Sequence, residues 1–283
     1  MKKIVVFGAG LVAKPGIKYL LDHGFEVTVA TRTVSKAEAI VGDAPNGKAV
    51  AFDISKDSLE EAGLIQNCDL AISLLPYAFH PEIAAVCIKH KKHMATTSYV
   101  SDAMRALDAK AKEAGVLLLN ECGVDPGTDH MSAMRVIHQV QKNGGKVVSF
   151  KSYCGGLPAP DANDNPLGYK FSWSPKGVLL AGTNPAKYLE YGTIKEIRSG
   201  ELFRKFWPMY VEGMHLEAYP NRDSLPYKEL YGISDAHTMF RGTFRYPNWC
   251  QTIQGMFDLG MLDTTARDDL HGLTWKQLTA KLI

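Results

Sequence analysis

The chain of 283 residues has little cysteine, almost no net charge and no long apolar run. Its five cysteines, Cys68, Cys87, Cys122, Cys154 and Cys250, show neither metal-ligand spacing nor a paired framework. A reducing, cytoplasmic compartment and no metal are expected. Lysine and arginine total 32 against 30 acidic residues, a formal charge of +2, which argues against a nucleic-acid partner. The densest basic patch, His90-Lys91-Lys92-His93, reads as a solvated helix end. No apolar stretch approaches the roughly 20 residues of a membrane-spanning helix, so no membrane partner is expected. The N-terminus runs straight into a strand pattern, and no signal peptide, internal repeat or low-complexity segment is expected. What remains is an ordinary globular composition, 46% hydrophobic and 22% charged, long enough for two cores.

The first thirty-three residues carry the sharpest local signal. Lys3-Ile4-Val5-Val6-Phe7 is a short run of β-branched and aromatic residues. Gly8-Ala9-Gly10-Leu11-Val12-Ala13 follows at once and opens an amphipathic helix, which Gly24 ends. Phe25 to Ala30 reads as a second strand. A G-x-G-x-x-A turn in this βαβ setting points unpaired N–H groups and a positive helix end at a diphosphate. Gly8 permits the tight turn. Gly10 lets the backbone approach the pyrophosphate, and Ala13 lets helix and strand pack closely. Pro15 falls near the first helical turn, where its missing N–H costs little. The cofactor-binding candidates here are Gly8, Gly10, Leu11 and Val12. The competing reading is a glycine turn that only tightens a crossover.

One absence then selects the dinucleotide. An NAD site usually carries Asp or Glu near the end of the second strand, bonded to the ribose hydroxyls. This chain has Ala30-Thr31-Arg32-Thr33. Arg32 can fork onto a 2′-phosphate, with Thr31, Thr33 and Ser35 adding hydroxyl donors, so NADP is the expected cofactor. A surface arginine paired with a nearby acid is the alternative.

Strand and helix patterns keep alternating beyond this unit. A helix is expected over Ala37–Val41 and a strand over Lys48–Phe52, ending at Asp53. A helix around Leu59–Ile65 is expected to lead into a buried strand at Asp69–Leu75, which Pro76 stops. A helix after Pro81 and strands at His93–Ser98 and Val116–Leu119 follow. This alternation predicts an α/β, Rossmann-type doubly wound parallel sheet, with ligands beyond the carboxyl ends of its strands. Near Asp125 the texture changes. Gly127–Val140 reads as a helix and Lys146–Tyr153 as a strand. Antiparallel strands are expected around Pro208–Leu216 and Thr238–Tyr246. The expected division is a dinucleotide-binding domain over 1–124 and an α+β substrate domain over 125–283.

Several longer strings carry a resemblance. Gly155-Gly156-Leu157-Pro158-Ala159-Pro160, Asn165 to Ser174, Tyr219 to Ser224 and Arg241 to Tyr246 closely resemble the saccharopine reductases, the L-glutamate-forming saccharopine dehydrogenases. Leu74 to Pro81 and Asp125 to His130 fit the same family. The resemblance covers essentially the whole chain. It implies coupling of L-glutamate to 2-aminoadipate 6-semialdehyde and reduction of the imine with NADPH to saccharopine, or the reverse oxidation, in lysine metabolism. Family chains run longer, with a helical subdomain and a return to the first domain. This chain stops at Ile283 in a helix-like stretch starting near Trp275, so the second domain is expected to be incomplete relative to the family.

Saccharopine carries three carboxylates and at least one ammonium group, so its site needs several cations and an anion. Arg222 and Arg245 are the candidate carboxylate forks, with Thr243 beside the second. An internal ion pair, for example Arg222 with Asp223, is the plain alternative. Ser98 and Tyr99 follow a strand end and can contact substrate near the nicotinamide, with core packing as Tyr99's alternative. Asp125 is the candidate anion for the ammonium or iminium nitrogen, and a helix cap otherwise. Asp125 and Tyr99 are therefore the catalytic candidates. His130 reads as more structural than catalytic, and nothing marks Cys154 as a nucleophile. Asp53 and Ile54 are placed at the adenine. The resemblance places Ser73, Leu74 and Leu75 at the nicotinamide-side ribose, and Thr97 completes the cofactor set. The oligomeric state is left open, with a homodimer as a candidate assembly. Two other readings stay open: a related imine reductase such as a carboxynorspermidine dehydrogenase, and a truncated, non-catalytic NADPH-binding paralogue.

Overall fold

The structure is a computed structural model that describes residues 1–282. Ile283, the last residue of the expected second domain, lies outside them. The chain divides into two compact units, one ending at Ser132 and the next starting at Ala133.

The first unit is a six-stranded parallel sheet. Its elements are β1 (Lys3–Phe7), α1 (Ala13–Asp22), β2 (Glu26–Thr31), α2 (Val34–Val41), β3 (Gly47–Ala51), β4 (Leu70–Ser73), α3 (His80–Lys89), β5 (His93–Thr96), α4 (Asp102–Arg105), α5 (Asp108–Ala114) and β6 (Leu118–Leu119). The strand order is β3-β2-β1-β4-β5-β6, so the winding reverses between β1 and β4. Alternation along β1 feeds two cores. Ile4 and Val6 pack on one face with Ala13, Ile17 and Leu21 of α1. Val5 and Phe7 pack on the other with Ile83, Ala84 and Cys87 of α3. Burying both faces explains why the strands read as near-continuous apolar runs. The spacing of Ala13, Ile17 and Leu21 places them along one helical stripe, as the amphipathic pattern requires.

One expected helix is not there. Residues 59–65 form successive turns, and Gly63 takes a φ of +65° that interrupts an α-helix. Leu59 and Ile65 are still buried, so the apolar pattern was a core signal without being a helical one.

The unit boundary falls inside α6 (Thr128–Lys142). The second unit then holds β7 (Ser149–Cys154), α7 (Pro175–Leu179), β8 (Ala186–Glu190), β9 (Thr193–Ile197), β10 (Trp207–Val211), β11 (Met214–Pro220), α8 (Pro226–Leu230), β12 (Thr238–Arg245), α9 (Trp249–Asp258) and α10 (Trp275–Leu282). Five strands run in the order β10-β11-β12-β8-β9, and β7 pairs with β12. Pairing is antiparallel except between β7 and β12. The antiparallel strands expected around Pro208–Leu216 are the β10–β11 hairpin. Glu212 and Gly213 take φ of +48° and +81°, and the chain reverses there into β11.

Alternation on β12 sets up the chemistry. Met239, Arg241, Thr243 and Arg245 share one face, with Phe150, Ser152 and Cys154 of β7 and Glu217 and Tyr219 of β11 in register beside them. Met239 packs in a cluster with Ala133 and Ile137 of α6 and with Tyr227 and Tyr231. Tyr219 packs in another with Tyr169, Trp249 and Ile253. Arg241 and Thr243 lie between those two apolar clusters along the strand.

Candidate functional site

The glycine turn after β1 is sharply bent at Gly8 and open above Gly10. Gly8 has a φ of +108°, and its N–H donates to the Ala30 carbonyl at 2.8 Å. A Cβ there would press on the Leu74 carbonyl at 3.2 Å. A Cβ at Gly10, by contrast, would meet no protein atom within 4 Å. The space above Gly10 is thus left open by the protein, as a diphosphate requires. Leu11 and Val12 are exposed, and no side chain caps the N-terminus of α1. The Ala13 N–H turns back to the Gly10 carbonyl at 3.1 Å and Pro15 carries none, so an anion would meet the N–H groups of the preceding turn and of Lys14. Ala13 is fully buried against the sheet, and Pro15 lies in the first helical turn.

Arg32 and Thr33 follow β2 and are exposed at the helix α2 entrance. A carboxylate that feels the Arg32 charge comes from a different strand end. Asp53, after β3, accepts from the Ser55 hydroxyl at 2.7 Å and the Ser55 N–H at 3.1 Å. Those bonds, with the Arg32 and Lys56 charges adding less, hold its carboxyl below the ordinary aspartate range. Asp53 is therefore an anion shaping its own turn, and Ile54 beside it is half-buried.

The ends of β4 and β5 are joined by a buried histidine. Nδ1 of His80, at the start of α3, lies 3.0 Å from the Ser73 hydroxyl. Its Nε2 lies 2.9 Å from the Ser98 hydroxyl and 3.0 Å from that of Thr96. His80 is 1% exposed and Ser73 fully buried. Ser73 was expected to touch cofactor; its hydroxyl is enclosed, because it bonds His80 behind the strand end. Leu74 and Leu75, the other candidates for the nicotinamide-side ribose, are half-buried. Thr97, one residue beyond β5, is exposed. His80 stands in the Leu74–Pro81 string with no role that the sequence assigns to it. No local spacing reveals that α3 turns it back between two strand ends.

Tyr99 and Asp125 are brought together. The Tyr99 phenol donates to Asp125 Oδ1 at 2.7 Å, across 26 residues of chain. Asp125 is not the helix cap of the alternative reading. The helix begins at Thr128, and the Gly127 N–H is taken by Asp129 Oδ1 at 2.7 Å. The loop around Asp125 is tightly tied. Gly123 N donates to the Pro126 carbonyl and Thr128 N to the Gly123 carbonyl, and a Cβ at Gly127 would collide with that carbonyl. His130 Nε2 lies 2.8 Å from Glu121 Oε2, while Glu121 Oε1 accepts the Val100 N–H at 3.1 Å. His130 thus braces the segment beside Tyr99, in line with a structural role.

In the second unit, Arg222 follows β11 with a φ of +55°. Its carbonyl accepts the Lys187 N–H, and the Asn221 N–H donates to the Arg241 carbonyl. The Asp223 carboxylate accepts the Leu225 N–H at 2.9 Å, which gives it a turn-closing role. Arg245 was expected as an open fork; it is instead 5% exposed. Its guanidinium lies 5.0 Å over the Tyr169 ring and 5.4 Å over Trp249, and Nη1 donates to the Phe244 carbonyl. Its Nε has no hydrogen-bond partner among the described residues. Glu217 faces it across the ladder and accepts the Asn248 and Cys250 N–H groups at 2.6 and 3.0 Å, at the start of α9. Thr243 is half-buried opposite Tyr219. Arg241, 2% exposed and 4.4 Å over the Tyr227 ring, is a buried cation that sequence reading quoted without assigning.

The remaining titratable groups argue against nucleophilic cysteine chemistry in the cores. Burial pushes the Cys68 thiol up to about 11 and Cys87 up to about 12. Among the described residues no group of three His, Cys, Asp or Glu side chains is placed to hold a metal, and no helix is long and apolar enough to cross a membrane.

Comparison with known proteins follows the same division. Residues 4–119 match the family model described as the saccharopine dehydrogenase NADP binding domain, and residues 123–281 the saccharopine dehydrogenase C-terminal domain. The saccharopine dehydrogenase (NADP(+), L-glutamate-forming) of Schizosaccharomyces pombe is 46% identical over 289 residues, covering all of this chain and 64% of that protein. The mitochondrial alpha-aminoadipic semialdehyde synthase of Mus musculus is 42% identical, covering all of this chain and 31% of that protein. The apo structure of the L-Glu-forming saccharopine dehydrogenase from Saccharomyces cerevisiae superposes with a TM-score of 0.85 at 40% identity, covering the whole chain and 64% of its own. The chain belongs to the saccharopine dehydrogenase family, and its first unit is the family's NADP-binding domain. It spans 64% of the length of the fission-yeast relative.

Proposed function

We propose that this chain serves NADP-dependent interconversion of saccharopine with L-glutamate and 2-aminoadipate 6-semialdehyde. The observation that carries the reading is 46% identity across the whole chain to an enzyme named for that reaction. The paired Tyr99 and Asp125, 2.7 Å apart, support it from the geometry.

A bound NADP would supply the hydride acceptor for the methylene carbon on the aminoadipate side of saccharopine's secondary amine. The chain's own residues supply binding and electrostatics. The open Gly10 turn and the N-terminus of α1 would hold its diphosphate, and Arg32 with Thr33 would take its 2′-phosphate. Asp125 offers an anion to the ammonium and then to the iminium that replaces it, stabilising positive charge where it develops. The Tyr99 phenol fixes that carboxylate's direction. Ser98 and Thr243 offer hydroxyls to the substrate. Arg222 and Arg245 are proposed for its carboxylates, Arg245 through the donor it has left unpartnered. Hydrolysis of the iminium needs water and proton transfers, for which Asp125, His130 or a further water can serve.

The proposal includes a cytoplasmic protein, since all five cysteines are free thiols. A homodimer belongs to the same reading.

The test is spectrophotometric. Saccharopine plus NADP should generate NADPH, with a much slower rate on NAD. NADP binding with no saccharopine-dependent reduction would overturn the catalytic reading for this chain and leave a dinucleotide-binding protein.

A further inference from the structure

We propose that His80 is a positioning residue for the reaction: a neutral imidazole that sets the Ser98 hydroxyl against the substrate by tying it to the buried Ser73 hydroxyl. The inference rests on the reading of Ser98 as a substrate contact.

The geometry is a three-point clamp. Ser73 ends β4, and Ser98 and Thr96 stand at the end of β5, the neighbouring strand in the sheet. These strand ends face the region where a parallel sheet of this winding binds ligands. His80 opens α3 and places one ring nitrogen on each strand end, at 3.0 Å from Ser73 and at 2.9 and 3.0 Å from Ser98 and Thr96. The Ser98 N–H also reaches the Thr96 hydroxyl at 3.4 Å. A serine hydroxyl otherwise rotates freely, so a fixed ring nitrogen removes that freedom before substrate arrives. His80 is almost fully buried, whereas Ser98 is half-buried and can face ligand. His80 therefore acts through Ser98 rather than by contact.

The ring must be neutral to do this. All three of its partners are hydroxyls, and none is a carboxylate. A buried imidazolium would hold an uncompensated charge. Consistent with this, burial pushes His80 down to about 4.

Two asparagine-like replacements separate the two ends of the ring. In His80→Asn the amide reaches only the Nδ1 position, next to Ser73. In His80→Gln it reaches the Nε2 position, next to Ser98. Saccharopine binding to the full chain, measured by calorimetry with NADPH present, should weaken about tenfold in H80N and less than about threefold in H80Q. NADPH affinity should stay within about threefold in both. Ser73→Ala, whose removed hydroxyl is fully buried, should weaken saccharopine alone, because its effect must pass through the ring. In a Ser98→Ala background, H80N should add less than about twofold. Long-range proton–nitrogen spectra of the ligand-free protein should show His80 neutral from pH 5 to 8.

Equal effects of H80N and H80Q, full additivity with S98A, or a His80 titration near 6.5 would each overturn the inference. If S98A weakens saccharopine while H80N and S73A do not, the inference alone fails. If S98A has no effect, or the unaltered chain binds no saccharopine, the substrate reading itself falls and takes the inference with it.

Discussion

The Tyr99 phenol donates a 2.7 Å hydrogen bond to Asp125, although the two residues belong to separate loops, one after β5 and one before α6. The bond gives the carboxylate a fixed direction. Replacing Tyr99 with Phe removes that donor and leaves the ring. Turnover of saccharopine should fall about tenfold, with NADP affinity unchanged. Steady-state kinetics alongside NADP titration check this. Asp125→Asn removes the anion itself and should cost more, at least about a hundredfold in turnover, if the charge stabilises an iminium.

Gly10 and Gly8 should separate ligand binding from folding. A methyl group at Gly10 meets no protein atom, and its φ lies outside the left-handed range. Gly10→Ala should leave the melting temperature nearly unchanged and weaken NADP by at least about tenfold through collision with the diphosphate. Gly8→Ala should instead lower the melting temperature, because φ +108° is strained for any L side chain. Calorimetric titration and thermal melts read the two effects apart.

Arg32 should decide between dinucleotides. It is exposed, and no carboxylate takes its place at the end of β2. Arg32→Glu should weaken NADP by at least about tenfold and leave NAD binding similar or improved. Unchanged preference would assign the 2′-phosphate contact elsewhere.

His80 makes stability depend on pH. Its pKa falls from an ordinary 6.5 when unfolded to about 4 when buried by the fold. Between those values the unfolded chain binds more protons than the folded one, so protonation favours unfolding. The contribution is fully present above pH 6.5 and declines as pH falls toward 4, by on the order of 3 kcal/mol across the window. Urea denaturation at successive pH values should show this slope in the unaltered chain and a flatter one in H80Q.

Glu217 should be a stability residue of the second unit. It is 7% exposed and accepts two backbone N–H groups at the start of α9. Glu217→Ala leaves both donors and the neighbouring Arg245 without it, at a cost of roughly 2–4 kcal/mol. A drop in the second unit's melting transition, with NADP binding retained, checks the assignment.

Local chemistry was legible wherever it depended on neighbours in the chain. The turn of Gly8 and Gly10, the packing stripe of Ala13, Ile17 and Leu21, and the missing carboxylate beside Arg32 are all short-range patterns. Backbone conformation and side-chain period act over a few residues, so sequence shows them directly. The same logic misfired at Leu59–Ile65, where an apolar period was read as a helix although Gly63 breaks it. Burial and helicity share a signal, and only the backbone separates them.

The sequence by itself determined the parallel α/β unit, its NADP preference and the family to which the whole chain belongs, because each rests on contiguous residues. Tertiary structure alone decided that Tyr99 meets Asp125, that His80 links Ser73 to Ser98, and that Arg245 is enclosed by Tyr169 and Trp249 rather than open. Those outcomes depend on the register of strands and the packing of distant loops. A side chain's exposure, and so its charge and its reach, is a property of what the rest of the chain places around it.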